Sequence, residues 1–181
     1  MIYVAVLRGI NVGGRNKIDM KQIKQSFERI GFESVKTYIN TGNIMFRSDV
    51  MEREELIKKI EAVIVDDFQL DIKAVVRSIE EMDKVVAAIP NEWENDKTIK
   101  SDVLFLWEEV DKPTVMEELP IKQEFDQVIY ISGAIIWSVK REFQSESGML
   151  AIIGTKFYKQ VTVRNVNTTR KVYDMMKGLA Q

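Results

Sequence analysis

The N-terminal half of the chain alternates between short apolar runs and amphipathic stretches. Residues 2–7 are apolar and rich in β-branched side chains, which is typical of a central strand. Asp19 can cap a helix whose apolar residues recur at spacings of three and four, and Gly31 ends that helix. The resulting order, β-α-β-β-α-β, predicts a ferredoxin-like unit. Its predicted elements are strands at 2–7, 35–39, 44–46 and 72–76 and helices at 20–30 and 52–67.

The C-terminal half repeats this order after a connecting segment. A helix from Ser78 to Ile89 is stopped by Pro90, and the polar stretch 91–100 is the predicted linker. We therefore predict an α+β protein of two ferredoxin-like α-β plait units with antiparallel sheets, divided as 1–77, 78–100 and 101–181. The second unit's predicted elements are strands at 103–107, 127–132, 134–139 and 160–163 and helices at 113–119, 146–153 and 168–179, the last capped by Asn167.

The chain contains neither histidine nor cysteine. Imidazole bases, thiolate nucleophiles and the usual zinc sites are therefore excluded, and with them Ser-His-Asp and Cys-His enzymes. Carboxylate, lysine, tyrosine or hydroxyl chemistry remains open, as does an oxygen-ligated Mg²⁺ or no catalysis at all. No apolar stretch approaches the roughly 20 residues that span a bilayer, so we expect a cytoplasmic protein that does not enter the membrane.

Charge is unevenly distributed along the chain. The net charge is −2, but residues 80–126 carry 5 basic and 14 acidic side chains, whereas residues 127–181 carry 8 and 3. A net-acidic chain is a poor candidate for non-specific nucleic-acid binding, yet a local basic face can still hold a small anion.

Three polar motifs together resemble the bacterial family known as domain of unknown function 1697. The resemblance covers essentially the whole chain, and Val166 stands where many relatives carry an aromatic residue. It implies a pair of α-β plait subdomains and no activity that could be transferred to this chain. The motifs are Leu7-Arg-Gly-Ile-Asn-Val-Gly-Gly14, Thr37-Tyr-Ile-Asn-Thr-Gly-Asn43 with Phe46, and Thr162-Val-Arg-Asn165 with Thr168 and Lys171.

The polar loop after the first strand is the first candidate site. In a βαββαβ unit this loop, the hairpin joining strands two and three, and the entry to strand four share one rim of the sheet. Glycines there permit positive φ, so that successive N–H groups can form an anion nest above the start of the next helix. A phosphate or carboxylate group is the expected ligand. The candidate residues are Arg8, Gly9, Asn11, Gly13, Gly14, Arg15, Asn40 and Asn43.

The same loop also has a purely structural interpretation. Its glycines and asparagines can simply form a tight connection, with Arg8 paired to Asp66, Asp67 or Asp71 on the rim. Those three carboxylates could instead hold Mg²⁺ against a bound phosphate, although no cofactor or metal is indicated by the sequence alone.

A second candidate cluster ends the last strand and opens the last helix. Arg164, Asn165 and Thr168 lie where free N–H groups at a helix N-terminus favour anions. The structural alternative is a capped helix on a solvated face.

These features favour a small binding module for an anionic ligand, which could be a nucleotide, a phosphorylated metabolite or a nucleic-acid end. A Mg²⁺-dependent phosphoryl-transfer or hydrolytic enzyme is the second possibility. A protein-interaction module, such as a homodimer formed through a sheet face or edge, is the third.

Overall fold

The computed structural model describes residues 1–50 and 52–181 of the chain. They divide into two units, Met1–Met82 together with Val172–Gln181, and Asp83–Lys171. Each unit contains one four-stranded antiparallel sheet. No helix among the described residues is both long and apolar enough to cross a bilayer.

The first unit has the βαββαβ order that the sequence predicts. Its strands lie in the order β2-β3-β1-β4, so the most apolar strand, β1, is central. Two helices, α1 and α2, supply apolar side chains to the core on one face of the sheet. The elements are β1 (Ile2–Leu7), α1 (Met20–Arg29), β2 (Glu33–Tyr38), β3 (Asn43–Arg47), α2 (Arg53–Phe68), β4 (Ala74–Ser78) and α3 (Ile79–Ala88).

An aromatic cluster fills the core of the first unit. Tyr3 and Phe46 are paired across β1 and β3, with ring centroids 5.8 Å apart. Phe32 stacks on Phe46 at 4.3 Å, and Phe27 meets Phe46 edge-on at 5.8 Å. All four side chains are buried, so they stabilise the core of the first unit.

The second unit repeats the strand order as β6-β7-β5-β8. Its elements are β5 (Ile99–Leu106), α4 (Val115–Glu118), β6 (Asp126–Ile131), β7 (Ala134–Lys140), α5 (Gly148–Ile152), β8 (Val161–Asn165) and the start of α6 (Val166–Leu179). Short 3₁₀ turns occupy 108–110, 141–143 and 157–160.

The two sheets also match in register, although the sequence shows no obvious residue-level repeat. Leu7 N–H donates to the turn glycine Gly42, and Leu106 N–H donates to the turn glycine Gly133, at 2.8 and 3.0 Å. Both glycines have φ near 90°, which favours glycine. The two halves therefore share one backbone design, and positions in β1 and β5 can be compared directly. The matching strand pairs are Val4↔Arg77 with Val103↔Arg164.

The halves differ most in their helices. In the first unit α1 and α2 are 10 and 16 residues long, whereas in the second unit α4 and α5 have only 4 and 5 residues. Short helices cover less of a sheet than long ones, so part of the second sheet's helix-side face is less thoroughly covered.

The stretch 91–100, predicted as a linker, is an ordered part of the second unit. Arg170 donates to the carbonyl oxygens of Trp93 at 2.7 Å and Pro90 at 3.0 Å, and Trp93 is buried. Asn167 donates to the Asn95 carbonyl at 3.1 Å. Strand β5 already begins at Ile99. Polar composition alone does not reveal these hydrogen bonds, because their partners lie more than 70 positions away in the sequence.

Candidate functional site

The loop after β1 folds into a small hairpin, here called the basic hairpin (residues 8–17). Arg15 N–H donates to Val12 O at 3.0 Å around Gly13 and Gly14, whose φ angles are 58° and 75°. Positive φ at both central residues identifies a two-residue turn of the type that closes tight hairpins. Adding a Cβ to either glycine would meet nothing within 4 Å, so backbone conformation, and not crowding, calls for glycine. Gly13 and Gly14 therefore form the tip of a two-residue turn.

Asn11 anchors the basic hairpin to its surroundings. Its Nδ2 donates to Ile18 O at 3.0 Å and to Asn40 O at 2.7 Å, and its Oδ1 accepts from Ile18 N–H at 2.9 Å. Its φ of 53° lies in the left-handed region that asparagine tolerates better than most residues. These contacts engage both polar atoms of the Asn11 side chain in holding the loop.

Asn16 closes the base of the same hairpin. Its Nδ2 donates to Gly9 O at 2.9 Å, and its main-chain oxygen accepts from Asn11 N–H at 3.1 Å. Gly9, Asn11 and Asn16 all have positive φ. The basic hairpin is thus fixed by its own polar side chains before any ligand is considered.

The predicted convergence at the rim of the sheet is present in the structure. The turn between β2 and β3 meets the basic hairpin through the Asn11–Asn40 contact, and Arg8 N–H donates to Lys73 O at 3.0 Å just before β4. A Cβ at Gly42 would lie 2.8 Å from side-chain atoms of Leu7 and Ile10, so this turn packs tightly under the loop.

Asn43 lies inside this turn and is only 1% exposed. Its Nδ2 donates to Tyr38 O at 3.0 Å and to Thr41 Oγ1 at 3.2 Å. These bonds close the hairpin between β2 and β3. Asn40 is exposed beside it and contributes its main-chain oxygen to the rim.

The cations of the basic hairpin differ in exposure. Arg15 and Lys17 are exposed, and within residues 1–50 and 52–181 neither forms an ion pair with a carboxylate. Arg8 is half-buried at the end of β1. The hairpin therefore presents two cationic side chains to solvent from a fixed backbone.

Two of the acidic side chains near the rim, Asp67 and Asp71, pair with cations other than Arg8. Asp67 accepts hydrogen bonds from the Ser26 hydroxyl and the Arg29 guanidinium, and these bonds hold the pKa of Asp67 below its ordinary value. Asp71 lies 3.6 Å from Lys73. Across the described part of the chain, no group of three or more acidic side chains is arranged to hold a metal ion. Asp67 and Asp71 are thus each paired with a neighbouring cation of the first unit.

The N–H groups at the start of α1 are already hydrogen-bonded within the protein. Asp19 Oδ1 accepts from the N–H groups of Lys21 and Gln22 at 2.9 and 3.0 Å. Because an internal carboxylate already satisfies these donors, the start of α1 offers them to no external anion.

In the C-terminal cluster, Asn165 caps the last helix. Its Oδ1 accepts from Thr168 N–H at 2.8 Å, and its main-chain oxygen accepts from the Thr169 hydroxyl at 2.9 Å. The helix therefore begins at Val166, and the sequence prediction of Asn167 as the cap was wrong by two residues. Thr168 is only 8% exposed.

Arg164 is half-buried on β8. Burial lowers the pKa of Arg164 to about 10, because removing a guanidinium from water disfavours its charged form. Its Nη1 donates to the Val163 carbonyl at 2.8 Å, and Arg77 at the matching position of the first unit donates to the Val76 carbonyl at 3.0 Å. Because the same hydrogen bond occurs at the matching position of both units, we interpret Arg164 as part of the structure that the two units share.

A feature that the sequence interpretation missed lies in the second unit. A cavity of about 480 Å³ opens beside the sheet, against β5, β7 and the segment 144–158. No sequence motif predicts this cavity, because its lining residues come from five separate stretches of the chain. The one available signal was the brevity of the two predicted helices, which leaves part of the sheet face uncovered.

Comparison with known proteins gives a family and a fold. The family model described as Protein of unknown function (DUF1697) matches residues 1–137. The chain is also similar to a solved structure described as that of a conserved bacterial protein from Streptococcus pneumoniae, with a TM-score of 0.82 and 29% identity over 97% of this chain and 98% of that chain. The comparison with curated proteins finds no match. Because the family model spans most of the sequence, the chain belongs to the family Protein of unknown function (DUF1697).

Proposed function

We propose that this protein is a small binding module that recognises a phosphate-bearing ligand through the basic hairpin. One observation carries the proposal: Arg15 and Lys17 are exposed, and neither has a carboxylate partner among the described residues, on a hairpin held in place by Asn11 and Asn16. A fixed backbone lowers the conformational entropy that binding must remove, since the loop is already ordered.

The chemistry of the two side chains favours phosphate. An arginine guanidinium can donate two parallel hydrogen bonds to one phosphate, and a lysine ammonium adds a mobile point charge. The amides of Asn11 and Asn16 face inward to main-chain partners, so recognition rests on charge more than on amide hydrogen bonds. This combination predicts moderate affinity, strong salt dependence and little discrimination among phosphate esters.

The test compares matched charge deletions. The double variant Arg15→Ala/Lys17→Ala removes the proposed contacts. Lys58→Ala/Lys59→Ala removes the same charge from α2, where both lysines pair with acids one turn away. Thermal unfolding is measured with inorganic phosphate, a nucleoside triphosphate and a short single-stranded oligonucleotide. Ligand at about 100 times its Kd adds roughly 2.7 kcal/mol to the free energy of unfolding.

The wild type and the α2 variant should be stabilised by the same ligands, and the hairpin variant should not. An oligonucleotide whose affinity falls steeply with salt, with a slope reduced by about 2 in the hairpin variant, identifies a nucleic-acid backbone as the source of the phosphate. No stabilisation of the wild type by any of the three probes, or equal losses in both variants, refutes the proposal.

A further inference from the structure

The cavity in the second unit is lined mainly by apolar side chains, together with one ion pair and the polar residues Gln144, Ser145, Ser147 and Tyr158. Its floor is formed by β5, β7 and β8, and its outer lip carries Leu150 and Ile153, which are 52% and 54% exposed. The charged residues among its lining are Lys100 and Asp102, which pair with each other. A volume of about 480 Å³ lies within the roughly 300–1,000 Å³ of small-molecule pockets.

The matched halves of the protein show why the space exists. Leu7 and Leu106 occupy equivalent positions, so Tyr3 in β1 corresponds to Asp102 in β5 four residues earlier. In the first unit this part of the sheet face is filled by an aromatic cluster beneath long helices. In the second unit the aromatic residue is replaced by a carboxylate and α5 is only five residues long. The cavity therefore lies where the second unit lacks the aromatic side chain and the long helix that fill the equivalent space in the first unit.

The wall opposite the sheet is fixed in position. Buried Asp126 accepts from the Ser147 hydroxyl at 2.6 Å and from Gly148 N–H at 2.8 Å, which ties the start of α5 to β6. Ser147 itself lines the cavity and caps α5 by accepting from Met149 N–H at 3.1 Å. The cavity is therefore already formed and does not need a ligand to order its wall.

We propose that this cavity binds a neutral small molecule with an aromatic or branched aliphatic body and a polar group that both donates and accepts hydrogen bonds, such as a carboxamide. The apolar walls, which include Trp137, suit the body of the ligand. Lys100 and Asp102 neutralise each other, so the site carries no net charge and disfavours a charged guest, which would leave its own charge unpaired. A carboxamide can accept from the Lys100 ammonium and donate to the Asp102 carboxylate. The site uses none of the residues of the basic hairpin.

Three isosteric probes test the ligand class: naphthamide, naphthoate and naphthylmethylamine, which are neutral, anionic and cationic. Chemical-shift changes of the Trp137 indole N–H and the Val139 and Leu150 methyl groups are followed on isotope-labelled full-length protein. Naphthamide should bind with a Kd on the order of 1 mM or tighter, and at least about tenfold more tightly than either charged probe.

Variants test the location and the role of the ion pair. Ser145→Trp, at the exposed lip, should abolish the naphthamide shifts, whereas Glu146→Trp, the exposed neighbour outside the lining, should preserve them. Lys100→Met leaves Asp102 alone and should shift the preference to naphthylmethylamine; Asp102→Asn leaves Lys100 alone and should shift it to naphthoate.

The result that would overturn the inference is equal binding of the three probes, binding unaffected by Ser145→Trp, or no shift at the cavity with any probe. A concentration-dependent dimer that shifts the same signals without a probe would also overturn it, because the occupant would then be a second copy of the chain. Phosphate and oligonucleotide should leave these signals unchanged. The test of the cavity therefore does not depend on whether the basic hairpin binds phosphate.

Discussion

Replacing Gly148 with alanine should destabilise the protein strongly, because this residue is pressed against the main chain of another segment. A Cβ added at Gly148 would lie 1.8 Å from Pro120 O and 2.7 Å from Pro120 C. Ordinary contact begins near 3.4 Å, so the start of α5 would have to retract by about 1.6 Å, the difference between 3.4 and 1.8 Å.

That retraction would also break a hydrogen bond to a buried carboxylate. Gly148 N–H lies 2.8 Å from Asp126 Oδ2, and a shift of this size takes it out of hydrogen-bonding range. Overpacking costs about 1–3 kcal/mol, and loss of a hydrogen bond to a charged group costs about 1.5–3 kcal/mol. We expect the free energy of unfolding to fall by about 3–5 kcal/mol, a large share of the roughly 5–15 kcal/mol typical of folded proteins.

Urea unfolding followed by tryptophan fluorescence and circular dichroism measures this loss. The three tryptophans all lie within residues 83–171, so fluorescence reports on the unit that contains Gly148. Gly178→Ala is a helix control in the first unit, followed by circular dichroism: a Cβ there meets nothing within 4 Å, and alanine in a helix gains about 0.5–1 kcal/mol over glycine. If Gly148→Ala unfolds within about 0.5 kcal/mol of the wild type, the tight fixing of the cavity wall is refuted.

Three further predictions follow from the hairpin, the turn beneath it and the buried acid. Asn11→Ala should lower the free energy of unfolding by about 1–3 kcal/mol, since it removes three hydrogen bonds and disfavours positive φ; hydrogen exchange at Ile18 N–H should accelerate, and unchanged exchange would contradict the anchoring role. Gly42→Ala should lower the midpoint of urea unfolding, because its Cβ would crowd side chains at 2.8 Å at a φ of 92°, and a loss below about 0.5 kcal/mol would contradict this packing. Burial raises the pKa of Asp126, but hydrogen bonds, chiefly from Ser147, outweigh it and hold the pKa below 3.8. The stabilisation from this group is therefore present above pH 3.8 and lost as pH falls through the lowered pKa, so the difference in unfolding free energy between the wild type and Asp126→Asn should narrow in acid, and a constant difference would be evidence against the shift.

Local patterns in the sequence were sufficient to predict the succession of elements. Periodicities of two and of three to four, and the glycines that end them, depend only on neighbouring residues, so the βαββαβ order of both halves follows from the chain itself. The shared rim of the basic hairpin and the β2–β3 turn could also be predicted, because strand directions dictate which loops lie at the same edge. The helix caps were less secure: Asn165 and Asn167 are chemically equivalent candidates, and only the backbone path decides between them.

Contacts between distant residues were decided by the tertiary structure alone. The sequence shows that Asn11 is polar, but only the fold brings Ile18 and Asn40 to its two polar atoms and so makes it an anchor. Composition marked the stretch 91–100 as a linker, whereas Asn167 and Arg170 bind it into the second unit. The cavity depends most on the tertiary structure, because its walls come from separate strands and a short helix. No single sequence segment contains enough of its lining to predict it.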